Sequence, residues 1–332
     1  MAAFPRRFPV RFLWLICLLL FALGLALPAN GQPASNGEEP DGETDSFSIL
    51  DTSTGEVLTV PAREFLIGGL ICEMSPTDEE EALKAQVVAM YTYYSRLRQI
   101  RRDPEREPDP ALKGADFSCS TQSYLTYTTQ EERQARWGSS FETYEARTRE
   151  IVESVYGQQL RDSQGALVCA SYFAISSGQT DAGADVWGGE EECLQAVASP
   201  GDLYAPGYMT TVSFSQSELR AALSAAFPQA RLPDSQVHNA ITLTDISRSG
   251  TVLSAEIGGF PCTGSQLRIA LGLRSAHFSF ETGEDDTVVF TVKGWGHNVG
   301  MSQTGACAMA RCHMSYQEIL AWYYPGSTLY IP

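Results

Sequence analysis

The chain has 332 residues, of which 43% are hydrophobic and 19% are charged, and this composition suits a globular protein. Its formal net charge is −17, and its only lysines are Lys84, Lys113 and Lys293. This balance argues against nucleic acid as a partner, because phosphate binding depends on clustered Lys and Arg.

The N-terminal residues have the layout of an export signal. Three arginines among the first eleven residues precede an uninterrupted apolar run over 12–27. We predict a signal peptide or an N-terminal membrane anchor over residues 1–31, which places the rest of the chain outside the cytoplasm. Residues 32–45 lack large apolar side chains and are predicted to form a disordered acidic linker before a folded region over 46–332.

Helix and strand patterns follow one another along the folded region without a regular βαβ order. Apolar runs bounded by turn residues predict strands at 47–50, 57–60, 124–127, 168–175, 209–214, 240–243, 252–257, 277–280 and 288–292. Apolar residues at helical spacing predict helices at 63–72, 77–103, 141–156, 217–227, 264–270, 303–310 and 315–322. This mixture predicts an α+β fold, with mixed helices and mainly antiparallel strands around one large core.

The second predicted helix carries the clearest boundary signals. Thr77 and Glu80 fit a capping box at its start. Pro104 ends it, and the charged, proline-rich residues 101–110 are predicted to form a loop.

The eight cysteines constrain the structure little. Cys17 lies in the apolar run, and the other seven show no CxxC or Cys/His spacing typical of a zinc module. In an oxidising compartment Cys169 and Cys193, or Cys307 and Cys312, are candidates to pair, but the connectivity stays open.

A carboxylate at the end of an apolar helix is the first candidate for chemistry. Glu73 lies in GGLICEMSP (68–76), where an apolar helical stretch meets a turn. Partial burial raises the pKa of a carboxyl group and suits it to general-acid chemistry near neutral pH. The alternative is an ordinary helix-end carboxylate, which the residues alone do not exclude.

Two further segments place polar and glycine residues among apolar ones. The first is SSGQTDAGADVWGG (176–189), in which small residues allow close approach of a ligand and Trp187 offers a flat apolar surface of the kind that stacks on sugar rings. The second is GWGHNVGMSQTG (294–305), a tight turn before a helix. Its His297 is a candidate to orient a substrate or carboxylate, bind metal or cap the helix. The alternative for the first segment is a structured surface loop held in place by one buried Trp.

Together these segments resemble the stage II sporulation protein D (SpoIID/LytB) family. EFLIGGLICEM (64–74) is similar to the family's opening pattern ending in Glu-Met, and ALKAQVVA (82–89) follows at the expected distance. The resemblance continues in order to the C-terminus through DVWG (185–188), LGLRS (271–275), GWGHNVGMSQ (294–303), SYQEIL (315–320) and YPG (324–326).

The resemblance implies a lytic transglycosylase that acts in a glycan-binding cleft on peptidoglycan strands stripped of stem peptides. Its products carry 1,6-anhydro-MurNAc ends, and no cofactor is required. Glu73 corresponds to the family's catalytic glutamate, and Lys84 is our candidate cation for the lactyl carboxylate of a stripped muramic acid. The matching segments imply that the remaining substrate contacts come from Ser176, Gly178, Thr180, Trp187, Trp295, His297, Ser302 and Gln303.

The same resemblance implies the setting. Such enzymes remodel the septal wall during engulfment, beside a cell-wall amidase and a membrane scaffold protein, between mother cell and forespore. The runner-up function is a non-catalytic glycan-binding activator of an amidase, as LytB-type relatives imply. A metal hydrolase of peptide bonds is the third possibility, and it lacks a ligand set.

Three positions depart from the family pattern. Tyr91 stands where members usually carry Arg, and Phe173 aligns with a His of many members. Some members hold zinc with a Cys/His cluster after the long helix. Here Cys119 is retained, but Gln122 and Ser123 stand where a His and a second Cys are expected, so we predict no zinc.

Overall fold

The computed structural model describes residues 45–189 and 191–332. The predicted signal or anchor and the linker up to residue 44 lie outside the described residues. Asp45 was expected to be the last linker residue, but it is held in the fold. Its carboxylate accepts hydrogen bonds from Tyr91, Arg98 and Tyr156 at 2.6, 2.6 and 2.7 Å. Among the described helices, none has the length and apolar character needed to cross a bilayer.

The described residues form nine α-helices and thirteen β-strands. The helices are α1 (Ala62–Glu73), α2 (Glu80–Arg102), α3 (Gln130–Trp137), α4 (Phe141–Val155), α5 (Gly183–Trp187), α6 (Gln216–Ala226), α7 (Gly264–Ala270), α8 (Gln303–Arg311) and α9 (Tyr316–Tyr323). The strands are β1 (Ser46–Asp51), β2 (Glu56–Pro61), β3 (Phe117–Cys119), β4 (Gln159–Arg161), β5 (Tyr172–Phe173), β6 (Met209–Phe214), β7 (Ile241–Ile246), β8 (Val252–Ile257), β9 (Phe260–Thr263), β10 (Phe278–Thr282), β11 (Val288–Lys293), β12 (Met301–Ser302) and β13 (Thr328–Tyr330).

The predicted α+β class is confirmed, because helices accompany several small sheets whose strands are mostly antiparallel. Only the pairs β1–β3 and β5–β12 are parallel among the described strands. The chain divides into two compact units. The smaller unit contains residues 209–297, and the larger unit contains the described residues before and after it.

The larger unit is built around α1 and α2. Helix α1 is apolar along almost its whole length and is buried from Phe65 to Ile71. Helix α2 buries one face against α1, α4, α8 and α9. The sheet β2-β1-β3 lies beside this layer, and Phe47 and Phe117 pack against Phe65 of α1.

The smaller unit has its own hydrophobic core. Strand β11 is the centre of the sheet β10-β11-β6, and its alternating buried residues include Val288 and Phe290. The sheet β7-β8-β9 packs with α7, which contributes the fully buried Leu267. We expected one large core, but the apolar residues of 209–297 cluster with one another and form a second one.

Several predicted element boundaries were wrong. No Thr77 capping box forms, because Glu79 is the N-cap of α2 and makes no side-chain cap, while the Thr77 hydroxyl lies 2.7 Å from that of Ser75. Helix α2 ends at Arg102, before Pro104 as predicted, so residues 101 and 102 belong to the helix and not to the predicted loop. Residues 124–127 form no strand, since Tyr124 and Thr126 adopt left-handed backbone angles (φ 53° and 70°). Within 168–175, only β5 is a strand.

Candidate active site

Glu73 is the last residue of α1, and the glycines one turn earlier determine what surrounds it. A Cβ atom on Gly69 would lie 2.6 Å from Met90 Cε and 3.0 Å from Thr126 O. Only glycine therefore allows α1 to approach both α2 and the loop at Thr126 this closely. Residues four apart share a helix face, so Glu73 follows Gly69 on the face directed at these neighbours.

The environment of Glu73 favours its protonated form. Burial raises the pKa of Glu73 to about 7, and a hydrogen bond from Gln303 partly opposes the rise. The Gln303 Nε2 donates to Glu73 Oε2 over 3.2 Å. Within the described residues, no other carboxylate and no cation adds to these two influences. The group can therefore release and recover a proton near neutral pH.

Two tyrosines that the sequence analysis missed lie beside this acid. Burial, followed by the nearby Glu73 carboxylate, raises the pKa of both Tyr94 and Tyr172. Their side chains are hydrogen-bonded to each other. Both therefore remain neutral phenols at any pH at which the acid works. Tyr94 follows Glu73 by 21 positions and Tyr172 by 99, so no short motif joins them.

Removing the Gln303 amide tests its influence on the acid. In Gln303→Leu the pKa of Glu73 is expected to rise further above its ordinary value, because the hydrogen bond that stabilises the carboxylate is lost. The pH at which Glu73 ionises, followed by NMR titration of its carboxyl carbon, should move upward. Thr304→Ala, one residue along α8, is the control, and an equal shift there would contradict the assignment.

A second buried carboxylate organises the turn at residues 176–178. Asp202 is fully buried and accepts hydrogen bonds from Ser176, from Ser199 at 2.7 Å and from Ser302 at 2.8 Å. Burial raises its pKa, while the hydrogen bonds from the serine hydroxyls oppose the rise. Ser302 is also the N-cap of α8, accepting from Gly305 N at 3.2 Å. The network thus positions the start of the helix that carries Gln303.

Asn298 holds the other side of the same turn. Its left-handed backbone (φ 67°) directs the amide at the segment 177–181. Nδ2 donates to Gln179 O at 3.0 Å and to Asp181 Oδ2 at 2.8 Å, while Oδ1 accepts from Ser177 N at 3.2 Å. Thr180 is fully buried, and its hydroxyl oxygen accepts from Val197 N at 2.9 Å.

The predicted site residues therefore occupy different kinds of position. Gln303 contacts Glu73 directly, whereas Ser176, Thr180 and Ser302 are fully buried and bonded inside the protein. Gly178 has a left-handed backbone (φ 101°), and a Cβ there would lie 2.9 Å from Leu203 Cδ2. Asp202 and Ser199 were missed, and no local signal would have indicated them.

The other candidates are Trp187, Lys84, Trp295 and His297. Trp187 ends α5 and is partly buried against the core of the larger unit. The Lys84 ammonium lies 2.7 Å from Glu80 and 2.9 Å from Glu81. Trp295 and His297 belong to the smaller unit, where the Arg274 guanidinium stacks 4.5 Å above the 40%-exposed Trp295 ring.

The structure also shows the surroundings of the cysteines and of Tyr91 and Phe173, two residues that depart from the family pattern. All seven cysteines within the described residues are unpaired. In the same part of the chain, no three His, Cys, Asp or Glu side chains are grouped so as to hold a metal ion. Tyr91 donates to Asp45 in the network that anchors the start of the fold, and Phe173 is buried in β5.

The sequence is similar to those of several known proteins. A family model described as stage II sporulation protein matches residues 51–161. Stage II sporulation protein D of Bacillus subtilis (strain 168) is 32% identical and covers 90% of this chain and 83% of that protein. The protein of the same name from Bacillus amyloliquefaciens is 31% identical, over 85% of this chain and 77% of its own length. The amidase enhancer of Bacillus subtilis (strain 168) is 28% identical, over 77% of this chain and 39% of its own length.

Proposed function

Because the chain belongs to the stage II sporulation protein D (SpoIID) family, as its motifs predicted, we propose that it is a lytic transglycosylase of the cell wall. A role in sporulation and at the cell wall follows from the family and from the amidase-enhancer relative. The finer proposal is that the protein cleaves MurNAc–GlcNAc bonds in strands stripped of stem peptides. It acts outside the cytoplasm, and an amidase and a membrane scaffold protein are its proposed partners.

The observation that carries this proposal is a single acid with a pKa of about 7. Protonated Glu73 gives its proton to the glycosidic oxygen, and the bond from that oxygen to the anomeric carbon breaks. The C6 hydroxyl of the same muramic residue bonds to that carbon and closes the 1,6-anhydro ring. The proton of the C6 hydroxyl passes to the Glu73 carboxylate, which restores the acid. A hydrolase normally needs two carboxylates, whereas here the substrate supplies the nucleophile.

The surrounding residues support this chemistry, but none of them forms or breaks a covalent bond. The Gln303 amide orients the Glu73 carboxyl group, and the phenols of Tyr94 and Tyr172 remain neutral beside it. We assign Ser176, Thr180 and Ser302 to positioning the turn beside the start of α8, since their side chains are buried. Gly178, Trp187, Trp295 and His297 stay proposed glycan contacts.

Product analysis tests the reaction. The full chain is incubated with glycan strands pre-stripped by an amidase, and mass spectrometry is used to identify the new ends. We expect 1,6-anhydro-MurNAc ends. Reducing ends instead would mean hydrolysis and would contradict the single-acid mechanism.

The second candidate function is a glycan-binding activator of a cell-wall amidase. The amidase-enhancer relative favours it, as do the departures at Tyr91 and Phe173. Adding the chain to an amidase separates the two functions. Activation that persists in Glu73→Gln, with no anhydro ends from the wild type, would favour the activator.

A further inference from the structure

In the larger unit an exposed arginine stacks on a half-buried tyrosine. The Arg136 guanidinium carbon lies 4.4 Å from the centre of the Tyr124 ring. The Tyr124 hydroxyl donates to Glu132 O at 2.7 Å, which fixes the ring from its far end. Arg136 itself is exposed in the last turn of α3. Stacking on an aromatic face holds a guanidinium in one orientation while its N–H groups stay available.

The pair lies near the end of α1 that carries the acid. The loop containing Tyr124 continues to Thr126, whose carbonyl is in close contact with Gly69. Glu73 follows Gly69 by one helical turn, and Tyr94, which lies beside Glu73, is hydrogen-bonded to Thr126. The loop is therefore part of the wall around the acid.

The charge of Arg136 reaches the residue next to the acid but not the acid itself. Burial raises the pKa of the Cys72 thiol, the Glu73 carboxylate raises it further, and the Arg136 guanidinium opposes the rise. Arg136 is not among the influences on the pKa of Glu73. A cation that leaves the pKa of Glu73 unchanged is suited to binding substrate. A cation in contact with Glu73 would instead favour the carboxylate and weaken the acid.

The charge of Arg136 is uncompensated, in contrast to that of Lys84. Within the described residues, Arg136 makes no ion pair with a carboxylate. Lys84, the cation expected from the sequence, is already paired with Glu80 and Glu81. The chain as a whole carries a net charge of −17, so it repels an anionic polymer unless local cations attract it.

We propose that Arg136, oriented by the Tyr124 ring, binds the free lactyl carboxylate of a muramic residue. This inference rests on the proposed function and deepens it by naming the group that distinguishes stripped from unstripped strands. A guanidinium can donate two parallel hydrogen bonds to a carboxylate. When a stem peptide is attached, that carboxylate is an amide with no charge, and the charge-assisted pair cannot form.

The test measures binding, which does not depend on cleavage. The full chain carrying Glu73→Gln is titrated with labelled stripped strands, and with the same strands after conversion of their lactyl carboxylates to methylamides. We expect the conversion to weaken binding about tenfold. Arg136→Gln should weaken binding of the unmodified strands by a similar factor and remove the difference between the two strands. Arg136→Lys should restore part of the preference.

Arg63 provides a matched control. Its guanidinium also stacks on a tyrosine, 3.9 Å from the ring of Tyr156, but at the opposite end of α1 from Glu73. Arg63→Gln should retain the preference for the unmodified strands. An Arg136→Gln protein that keeps the full preference would overturn the inference, as would a parent that does not distinguish the strands. Wild type that binds with this preference but forms no anhydro ends would refute the proposed reaction alone.

Discussion

The Glu73→Gln variant is expected to form 1,6-anhydro ends about 10²- to 10⁴-fold more slowly than the wild type, which is the usual contribution of a general acid. Glutamine has nearly the same shape and can still contact Gln303, but it cannot give a proton to the glycosidic oxygen. The rate is measured by mass spectrometry of released ends from stripped strands. Strand binding, measured by titration, should be retained.

The pH dependence of cleavage by the wild type provides an independent check on Glu73 as the acid. Since burial raises the pKa of Glu73 to about 7, the protonated form becomes scarce above that pH, and cleavage should decline as the pH rises through it. Glu56→Gln, on an exposed strand of the hairpin, should leave the rate and its pH profile unchanged. Equal cleavage by Glu73→Gln and wild type would refute the assignment of the acid.

The Glu73→Gln variant should be more stable than the wild type at alkaline pH. The folded pKa of Glu73, about 7, lies above its ordinary value of 4.5, so the folded state binds the proton more tightly than the unfolded chain. Stability of the wild type therefore declines from about pH 4.5 to about pH 7, whereas the glutamine side chain of the variant does not ionise. At pH 8 the difference in unfolding free energy, measured by urea unfolding of both proteins, is expected to be about 1–3 kcal/mol.

Removing the buried guanidinium of Arg133 is expected to destabilise the larger unit by about 3–5 kcal/mol. The Arg133 side chain has no exposed surface and binds Glu145 at 2.8 and 2.9 Å, Glu64 at 2.8 Å and Thr128 O at 2.8 Å. It thereby links α3, α4, the first turn of α1 and the loop that reaches the acid. Arg133→Met leaves the nearly buried Glu145 without its main partner.

Urea unfolding measures this loss, and Arg149→Met is the matched control. Arg149 binds the same Glu145 at 3.1 Å, but its side chain is 48% exposed. Water screens such a pair, so its removal should cost less than about 1 kcal/mol. Similar losses in the two variants would mean that burial does not determine the contribution of this network.

Local patterns were sufficient for many elements of the fold. The hairpin of β1 and β2 and the strands at 209–214 and 252–257 follow from apolar runs bounded by turn residues. The helix at 264–270 also begins and ends where predicted. The positions of these elements follow from local patterns even where the pairing is distant, since β6 at 209–214 pairs with β11 at 288–293. The Thr77 capping box failed because a matching residue pair does not determine which residue begins the helix.

Long-range contacts account for what could not be predicted. Glu73 and Gln303 were proposed from motifs, but their mutual hydrogen bond joins residues 230 positions apart. Asp202 and Arg136 occur in no recognisable pattern, and the helical spacing that includes Tyr94 indicates only a core face. All three acquire their significance from what the fold places beside them. The second core was missed for a similar reason, since apolar periodicity does not indicate which elements pack together.

The hydrogen bond from Gln303 to Glu73 also has a consequence for the order in which the protein is made. Synthesis proceeds from the N-terminus, so α1 and its acid exist long before α8. The smaller unit, over 209–297, is made in the interval and can gather its own core. The hydrogen bond joins residues 230 positions apart, so it can form only after the start of α8 has been made. A nascent chain that ends before Gln303 contains Glu73 but lacks the amide whose hydrogen bond lowers the pKa of that residue.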